Sequence, residues 1–249
     1  MARRAIAVLS LGLLAALPAT VGASSLELRI GGFFPRTESN LFRDDGQLYA
    51  IPGRTCPLEP DAPCLKRSDW QGVYGGAEFS FTPSDHVELG IHLDGYGRRL
   101  HTNYRDYTRP GDVEILQSLK LTLVPLGATL RLFPIDRDAT VSPYVGVGPD
   151  IVFYKYEEFG DLIDFGSPDP DNPDIFSDQL VVSQGARPGF HVTGGLRVRV
   201  GHDFSILGEG RYQWAKATLG GDFGPQPGQD ALRLDMSGFS AVVGLSIRF

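Results

Sequence analysis

The stretch GFSAVVGLSIRF, residues 238–249, decides the fold class because its apolar side chains recur at every second position. Alternate residues of an extended strand point to the same face. One face therefore carries Phe239, Ala241, Val243, Leu245, Ile247 and Phe249. The other face carries Ser240, Gly244, Ser246 and Arg248. This pattern predicts a strand with one face in an apolar medium and the other in polar surroundings.

The same period of two occurs in seven further runs. The eight runs are Leu26–Phe34, Val73–Pro83, His86–Tyr96, Ser118–Phe133, Val141–Tyr156, Phe190–Val200, Phe204–Lys216 and Met236–Phe249. Each run reaches the roughly 9–11 residues that a tilted strand needs to cross a bilayer. We therefore predict eight membrane-crossing strands.

The connections between these runs alternate in length. The long ones have about 38, 21, 33 and 19 residues, and the short ones are turns near residues 84–85, 134–138 and 201–203. An even number of strands with long loops at one side and short turns at the other is typical of outer-membrane barrels. The predicted fold is all-β: an eight-stranded antiparallel up-and-down transmembrane β-barrel with four long extracellular loops and three short periplasmic turns.

The distribution of charge predicts which face of each strand lines the interior. The apolar faces carry only Lys155 and Lys216, both next to long loops, where a lysine can reach water. An arginine that faces lipid at mid-depth costs about 2–4 kcal/mol, so the charged faces should line the lumen. The predicted lumen charge network is Glu27, Arg29, Glu78, Glu88, Asp94, Lys120, Arg131, Asp150, Arg197, Arg199, Glu209, Arg211 and Arg248.

The fourth run departs from simple alternation. Leu119, Leu121 and Leu123 have one parity, whereas Leu126, Leu130 and Leu132 have the other. Proline in a strand is typical of a bulge, which shifts the phase of the side chains by one residue. We therefore expect a bulge near Val124 and Pro125.

Eight strands enclose only enough space for side chains to fill, and unpaired buried charge is costly. We therefore expect the interior charges to pair, which favours a structural or surface-interaction barrel over a narrow channel or transporter for small solutes. A lipid-modifying enzyme built on His191, Thr193 and Glu209 is a remote alternative. No spacing of nucleophile and base stands out, so we expect neither catalytic residues nor a cofactor.

The N-terminal residues 1–23 have the layout of a secretory signal peptide. Arg3 and Arg4 precede an apolar run from Ala5 to Leu17, and Val21-Gly22-Ala23 offers a small-residue cleavage site. The predicted mature domain is residues 24–249, with 21 basic and 30 acidic residues. That negative balance argues against a nucleic-acid partner, which requires a basic stripe.

Two local features lie in the long loops. Cys56 and Cys64 are the only cysteines, and they predict a disulfide in the oxidising environment outside the cytoplasm. The third long loop has no lysine or arginine between Lys155 and Arg187. Its carboxylates Asp169, Asp171 and Asp174 are a weak candidate for a divalent cation site. A solvated loop kept extended by its own charge is the favoured alternative.

Four segments carry a family resemblance: LELRIGGFFPR (26–36), LTLVPLGATLRLFP (121–134), SPYVGVGPDIVFY (142–154) and GLSIRF (244–249). Together they resemble the small eight-stranded outer-membrane barrels of the OmpA, OmpX and OmpW type. The resemblance implies a monomer in the outer membrane of a Gram-negative bacterium, in contact with its lipid and lipopolysaccharide. It also implies insertion by the barrel-assembly machinery, with Phe249 as part of the assembly signal. Roles in the family include envelope integrity, adhesion and porin-like passage of small compounds.

Overall fold

The protein is described by a computed structural model that covers residues 24–57, 63–164, 174–223 and 231–249. The predicted signal peptide, residues 1–23, lies outside these residues, as do Asp169 and Asp171 of the acidic loop. Among the described residues, no helix combines the length and the apolar character that a membrane-crossing helix requires.

Strands dominate the described chain. In chain order the strands are β1 (Ser24–Pro35), β2 (Tyr49–Ala50), β3 (Gly72–Ser84), β4 (Val87–Arg109), β5 (Val113–Leu132), β6 (Val141–Ile163), β7 (Ile175–Arg199), β8 (Phe204–Thr218), β9 (Arg233–Asp235) and β10 (Gly238–Arg248). One α-helix, α1 (Asn40–Leu48), and short 3-10 helices at Arg67–Trp70 and Gly221–Phe223 lie in the long connections. The strands β2 and β9 are short additions to a ring of eight.

The ring closes because β10 pairs with β8 on one side and with β1 on the other. All pairings are antiparallel, and the closing register places Leu26 opposite Ile247 and Phe34 opposite Phe239. Over the height at which all eight strands pair, a closed ring leaves no unpaired sheet edge. These observations confirm the predicted eight-stranded up-and-down β-barrel.

Several strands extend well past the predicted runs. The connection of about 21 residues predicted after the third run is mostly strand, because β4 continues to Arg109 and β5 begins at Val113. A tight turn joins them, with Gly111 and Asp112 at positive φ values of 86° and 58°. Beyond the apolar band the outward face meets water, whereas inward residues such as Leu100, Tyr104 and Ile115 are buried in an apolar interior. The alternation is therefore inverted there, and a pattern of outward apolar residues does not reveal these extensions.

The predicted bulge near Val124 and Pro125 is wrong. The pairing of β5 with β6 keeps one register from Leu123, opposite Tyr154, to Leu130, opposite Val147. Odd-numbered residues of β5 point inward from Ile115 to Arg131, and Leu119, Leu121 and Leu123 are fully or almost fully buried. The change of parity arises because the interior itself changes from charged to apolar.

The outer surface of the ring is a continuous apolar band. Ile30 and Val243 are each 61% exposed, and their neighbours on every strand are of the same kind. Other exposed members are Leu28, Ile91, Leu130, Leu132, Val145, Val147, Phe153, Phe190, Leu196 and Ile206. Apolar area of this extent on a single chain marks contact with lipid or with protein.

The interior has two zones. Near the short turns it holds buried charged residues from seven of the eight strands of the ring, and β10 contributes the buried serines Ser240 and Ser246. Near the long loops it is apolar and aromatic, and α1 fills it with the buried side chains of Leu41 and Phe42. Trp70 packs against Phe42 with ring centroids 5.2 Å apart. The long-loop end is therefore a second hydrophobic core that caps the charged zone.

Candidate functional site in the barrel interior

The charged zone is built by strand parity. Alternate residues of each strand point inward, so ionisable side chains at the same height meet in the lumen. The side chains of Arg29, Arg131, Glu78, Glu88 and Glu209 are almost completely excluded from water. Because the groups come from opposite walls, their contacts cross the lumen rather than run along it.

Arg29 of β1 holds together the part of the network nearest the apolar zone. Its Nη1 lies 2.9 Å from Glu78 Oε2 and 3.3 Å from Glu209 Oε1. Its Nη2 lies 2.9 Å from Asp94 Oδ2 and also donates to Oδ1 at 3.0 Å. Arg211 contacts the same three acids, at 3.1 Å from Asp94, 3.2 Å from Glu209 and 3.5 Å from Glu78. Two guanidinium groups thus bridge three carboxylates on β3, β4 and β8.

Arg131 of β5 occupies the middle of the network. Its Nη1 lies 3.0 Å from Glu27, 2.9 Å from Glu78 and 2.8 Å from Glu88, and its Nη2 lies 3.1 Å from Glu209. These four carboxylates stand on four different strands. Arg131 therefore contacts more buried carboxylates than any other described cation, although each of the four also has a second arginine partner.

Arg197 of β7 and Arg137 close the network at the short-turn end. Arg197 Nη1 lies 2.9 Å from Glu88 Oε2, and Arg137 Nε lies 3.0 Å from the same oxygen. Arg197 also reaches Glu27. The sequence did not predict Arg137 as a member of the network. It lies in a turn, where the alternation of residues does not indicate which way a side chain points. The turn folds its side chain back into the barrel mouth, where it is buried.

Three of the predicted network residues lie elsewhere. Lys120 points outward, where it pairs with Glu157 at 3.0 Å, so its placement in the lumen is wrong. The cause is the absent bulge, since an unbroken phase puts the even-numbered residues of β5 outside. Arg199 and Arg248 sit at the short-turn rim and share Asp138, at 2.7 Å and 2.6 Å.

The proposed catalytic combination is not assembled. Thr193 Oγ1 donates to the carbonyl oxygen of Gly210 at 3.2 Å. His191 bonds to Asp150 and to Thr129, and Glu209 is held by arginines and by the hydroxyl of Tyr144. The three groups of the remote enzyme alternative are thus engaged in three separate sets of contacts.

His92, Asp150 and His191 form a compact cluster within the charged zone. His92 Nε2 lies 3.2 Å from Asp150 Oδ1, and His191 Nδ1 lies 3.0 Å from the same oxygen. Thr129 Oγ1 joins the two rings, at 3.3 Å from His92 Nδ1 and 3.1 Å from His191 Nε2. The residues come from β4, β5, β6 and β7, so no sequence motif reveals them. Their shared inward parity in adjacent strands is the only signal in the sequence.

A second titratable pair lies outside the apolar band, beyond the row of outward charges formed by Lys120 and Glu157. Asp45 of α1 and Glu158 of β6 are buried and share the hydroxyl of Tyr156, at 2.7 Å and 3.2 Å. Burial raises the pKa of both carboxyls, and for Asp45 the charge of Glu158 raises it further. This pair joins the helix that caps the barrel to the barrel wall.

The first long connection is tied down by two links. Cys56 and Cys64 form a disulfide, with Cα atoms 5.1 Å apart. Arg54 donates to Asp69 at 2.6 Å and 2.8 Å. Although burial opposes the shift, hydrogen bonds from Arg54 and from the Lys66 backbone lower the pKa of Asp69. These links hold the connection on which α1 lies.

The remaining predicted residues lie at the two ends of the barrel. Of the weak cation candidates, Asp174 is described, and its carbonyl oxygen accepts a hydrogen bond from the Asp164 amide at 2.9 Å. Phe249 is 70% exposed, and its ring centroid is 6.3 Å from that of Phe79. Its backbone pairs with Ser24, so its side chain belongs to the outer apolar band.

No protein-family model matches this chain, and no curated protein matches it. Solved structures resemble it at the level of the fold. One is the outer membrane protein OprG from Pseudomonas aeruginosa, at 10% identity over 92% of this chain and 97% of that chain, with a TM-score of 0.49. Another is a major outer membrane protein from Thermus thermophilus, at 12% identity over 91% and 100%, with a TM-score of 0.49. Neisserial surface protein A matches at 11% identity over 92% and 97%, with a TM-score of 0.45.

Proposed function

We propose that the protein is an integral outer-membrane β-barrel with a closed, charge-paired lumen, and that it acts through its long-loop end in envelope structure or surface interaction. The inverted distribution of side chains carries this proposal. Arginines such as Arg131 are completely buried, whereas Ile30 and Val243 are mostly exposed. A water-soluble barrel would place these groups the other way round, because burying apolar area is the main driving force for folding in water.

The ion pairs across the lumen support a closed barrel rather than a channel. Arg29, Arg131 and Arg197 each contact acids on at least two other strands, so side chains bridge the walls at successive heights. A conducting path would require these pairs to separate, and breaking one leaves buried charge uncompensated. The alternative function as a narrow channel for small solutes therefore requires a rearrangement.

Single-channel recording in planar bilayers tests this point. We expect the wild-type barrel to insert without steady openings. Steady openings of the wild type that disappear in Arg197→Gln or Glu209→Gln would contradict the proposal and favour transport. Arg248→Gln, at the rim and paired only with Asp138 among the described contacts, is the matched control.

The long-loop end offers a surface for lipid phosphates. β7 begins at Ile175, but its pairing with β8 begins only at Gly189, which lies opposite Ala215. The part of β7 before Gly189 therefore has no partner in β8. Beside this opening lies a cavity of about 830 Å³. Its charged lining residues are Glu38, Arg43, Arg187, Lys216, Arg233 and Asp235. The cations outnumber the acids, and Arg is well suited to phosphate. We therefore propose that this cleft contacts the phosphates of lipopolysaccharide.

Binding to lipid A in nanodiscs tests the cleft. The double variant Arg187→Gln/Lys216→Gln should bind more weakly than the wild type to phosphorylated lipid A in nanodiscs. Binding to dephosphorylated lipid A should be equally weak for both proteins. The double variant Arg199→Gln/Arg248→Gln removes the same number of positive charges at the opposite end of the barrel and should leave binding unchanged. Equal binding of the double variant and the wild type to phosphorylated lipid A would exclude the cleft.

We propose secretion across the inner membrane by residues 1–23, insertion of a monomer by the barrel-assembly machinery through Phe249, and a non-enzymatic role. The outward position of Phe249 at the end of the closing strand supports recognition before the ring closes. The separate contacts of His191, Thr193 and Glu209 support the absence of hydrolase chemistry.

A further inference from the structure

Asp150 differs from the other buried acids of the lumen in its partners. Glu27, Glu78, Glu88, Asp94 and Glu209 each have an arginine nitrogen within 3.1 Å. Asp150 is also buried, but its ion-pair partners among the described residues are the imidazoles of His92 and His191. A buried carboxylate needs a compensating positive charge. Either one imidazole carries a proton or a cation occupies the cluster.

We propose that His92, Asp150 and His191 form a binding site for a divalent transition-metal ion of the zinc type. The candidate ligand atoms are His92 Nε2, Asp150 Oδ1 and His191 Nδ1, and each of the three residues offers one ligand atom within 4.8 Å of the others. Donors held at about 2.0–2.1 Å from a tetrahedral zinc ion are separated by roughly 3.3 Å. The carboxylate oxygen already lies 3.2 Å and 3.0 Å from the two imidazole nitrogens. Two of the three donor separations therefore already match a tetrahedral site.

The hydrogen bonds around the cluster orient both imidazoles as ligands. A histidine that binds a metal through one ring nitrogen generally donates its other N–H to a neighbouring oxygen, which fixes the tautomer. Thr129 Oγ1 lies within 3.3 Å of His92 Nδ1 and 3.1 Å of His191 Nε2. One hydroxyl oxygen has two lone pairs and can accept from both rings. The nitrogens that face Asp150 are then both unprotonated and able to bind the ion.

Glycine provides the space for this arrangement. A Cβ atom at Gly127 would lie 2.1 Å from Asp150 Oδ1 and 2.7 Å from His92 Cε1, so any side chain there would displace the ligands. A Cβ atom at Gly148 would lie 3.0 Å from His191 Cε1. The rings of His92 and His191 are nearly perpendicular, at 83°, with centroids 5.0 Å apart. The barrel wall thus leaves room for the ligands where they converge.

The donor set indicates the class of metal. Imidazole suits zinc, copper, iron and nickel, whereas magnesium and calcium prefer oxygen ligands. Three protein ligands leave at least one coordination position open for water. Asp94 Oδ2 lies 3.9 Å from His92 Nε2, but Arg29 and Arg211 hold that carboxylate. A divalent ion would supply the positive charge that arginine supplies to the other acids.

Metal content of the folded barrel tests the site. The protein is unfolded in urea, refolded into detergent with Zn²⁺ or Co²⁺ and separated from free ion, because the buried cluster is most accessible before the ring closes. We expect about one ion per folded chain, with Co²⁺ absorption bands of nitrogen and oxygen ligation. His92→Asn and His191→Asn should lower the metal content at least fivefold. His202→Asn, in an exposed turn, should retain it.

Folding of each variant is measured separately by gel electrophoresis. A folded barrel migrates differently in an unheated sample than in a heated, unfolded one. A wild-type barrel that folds fully with both ions present but retains less than a tenth of an equivalent would overturn the proposal. So would a ¹⁵N spectrum, recorded after refolding with Zn²⁺, in which one imidazole of the cluster is protonated on both nitrogens. If a histidine variant does not fold, Thr129→Val supplies the second test. It removes the shared acceptor while keeping all three ligands, and should weaken metal retention by roughly 10–100-fold.

Discussion

Arg131 of β5 and Glu27 of β1 lie 3.0 Å apart across the barrel interior, although 104 positions separate them in the chain. Both side chains are completely removed from water. The pair forms only when strands on different walls have reached their final register. It therefore reports on closure of the whole ring rather than on any single hairpin.

Replacing Arg131 with methionine should destabilise the barrel strongly. Four carboxylates within 3.1 Å would lose a partner, and breaking a buried ion pair typically costs about 3–5 kcal/mol. Urea unfolding in detergent micelles, followed by circular dichroism, measures the change. Arg248→Met, which removes a half-exposed rim arginine, should lie within about 1 kcal/mol of the wild type. Equal midpoints for Arg131→Met and Arg248→Met would show that the central pairs do not contribute to stability.

Gly31→Ala should interfere with closure between β1 and β10. A Cβ atom at Gly31 would lie 1.9 Å from the carbonyl oxygen of Ala241, which is backbone and cannot rotate away. We expect a large fall in the fraction of chains that refold, measured by heat-modifiable mobility on gels. Gly208→Ala adds the same methyl group where no heavy atom lies within 4 Å, and it should refold like the wild type. Refolding of Gly31→Ala at the wild-type level would contradict the tight approach of these strands.

The docking of α1 should weaken as the pH rises. Burial raises the pKa of Glu158 from 4.5 to about 7, so the folded state holds its proton more tightly than the unfolded state does. The resulting stabilisation is complete below about pH 4.5 and is lost as the pH rises through 7. Emission of Trp70, which packs on α1, should shift to longer wavelength over that range in a Trp214→Phe background.

The controls for this titration lie in the same segment. Glu158→Gln and Asp45→Asn keep the shape of the pair without its charge, so each should flatten the pH dependence. Asp44→Asn changes an exposed carboxyl on the same helix and should keep it. A fluorescence shift that persists in the double variant Asp45→Asn/Glu158→Gln would assign the effect to other groups.

Phe249→Ser should slow assembly in cells more than it lowers the stability of the finished barrel. The side chain is 70% exposed on the apolar band, so its removal changes few contacts within the protein. The expected result is less folded protein in the outer membrane, with an unchanged urea midpoint for the purified barrel. Phe204→Ser removes an exposed aromatic from the same band and controls for lost apolar area. Equal loss of assembly in both variants would remove the special role of Phe249.

Periodicity predicted the eight strands and most of the inward charges because the requirement behind it is strict. A strand between lipid and a charged lumen must alternate, so parity alone placed Glu27, Arg131 and Glu209 inside. Lys120 was misplaced because the prediction assumed one kind of interior along the whole barrel. Leu119, Leu121 and Leu123 face inward because α1 and the long connections make the upper interior apolar.

The contacts that depend on loops or on register could not be predicted. Arg137 enters the network through the conformation of a turn, and α1 reaches the barrel wall through the long first connection. The cluster of His92, Asp150 and His191 depends on the register between β4, β5, β6 and β7. A shift by two residues in any pairing would keep every side chain on its face but separate the members of the cluster. Alternation excludes a shift by one residue, but it does not fix the height of a residue in the barrel.

The amide nitrogen of Phe249 donates to the carbonyl oxygen of Ser24 at 3.0 Å, and the reverse bond is 3.2 Å long. The two positions could therefore be joined by a short linker and the polypeptide cut in the turn between β3 and β4. Such a circular permutant would retain every pairing of the ring. Its first and last strands would be β4 and β3, so the ring would be closed by that pair instead of by β1 and β10. Comparing its assembly with that of the original strand order would show whether assembly depends on which strands close the ring or on the sequence of β10 itself.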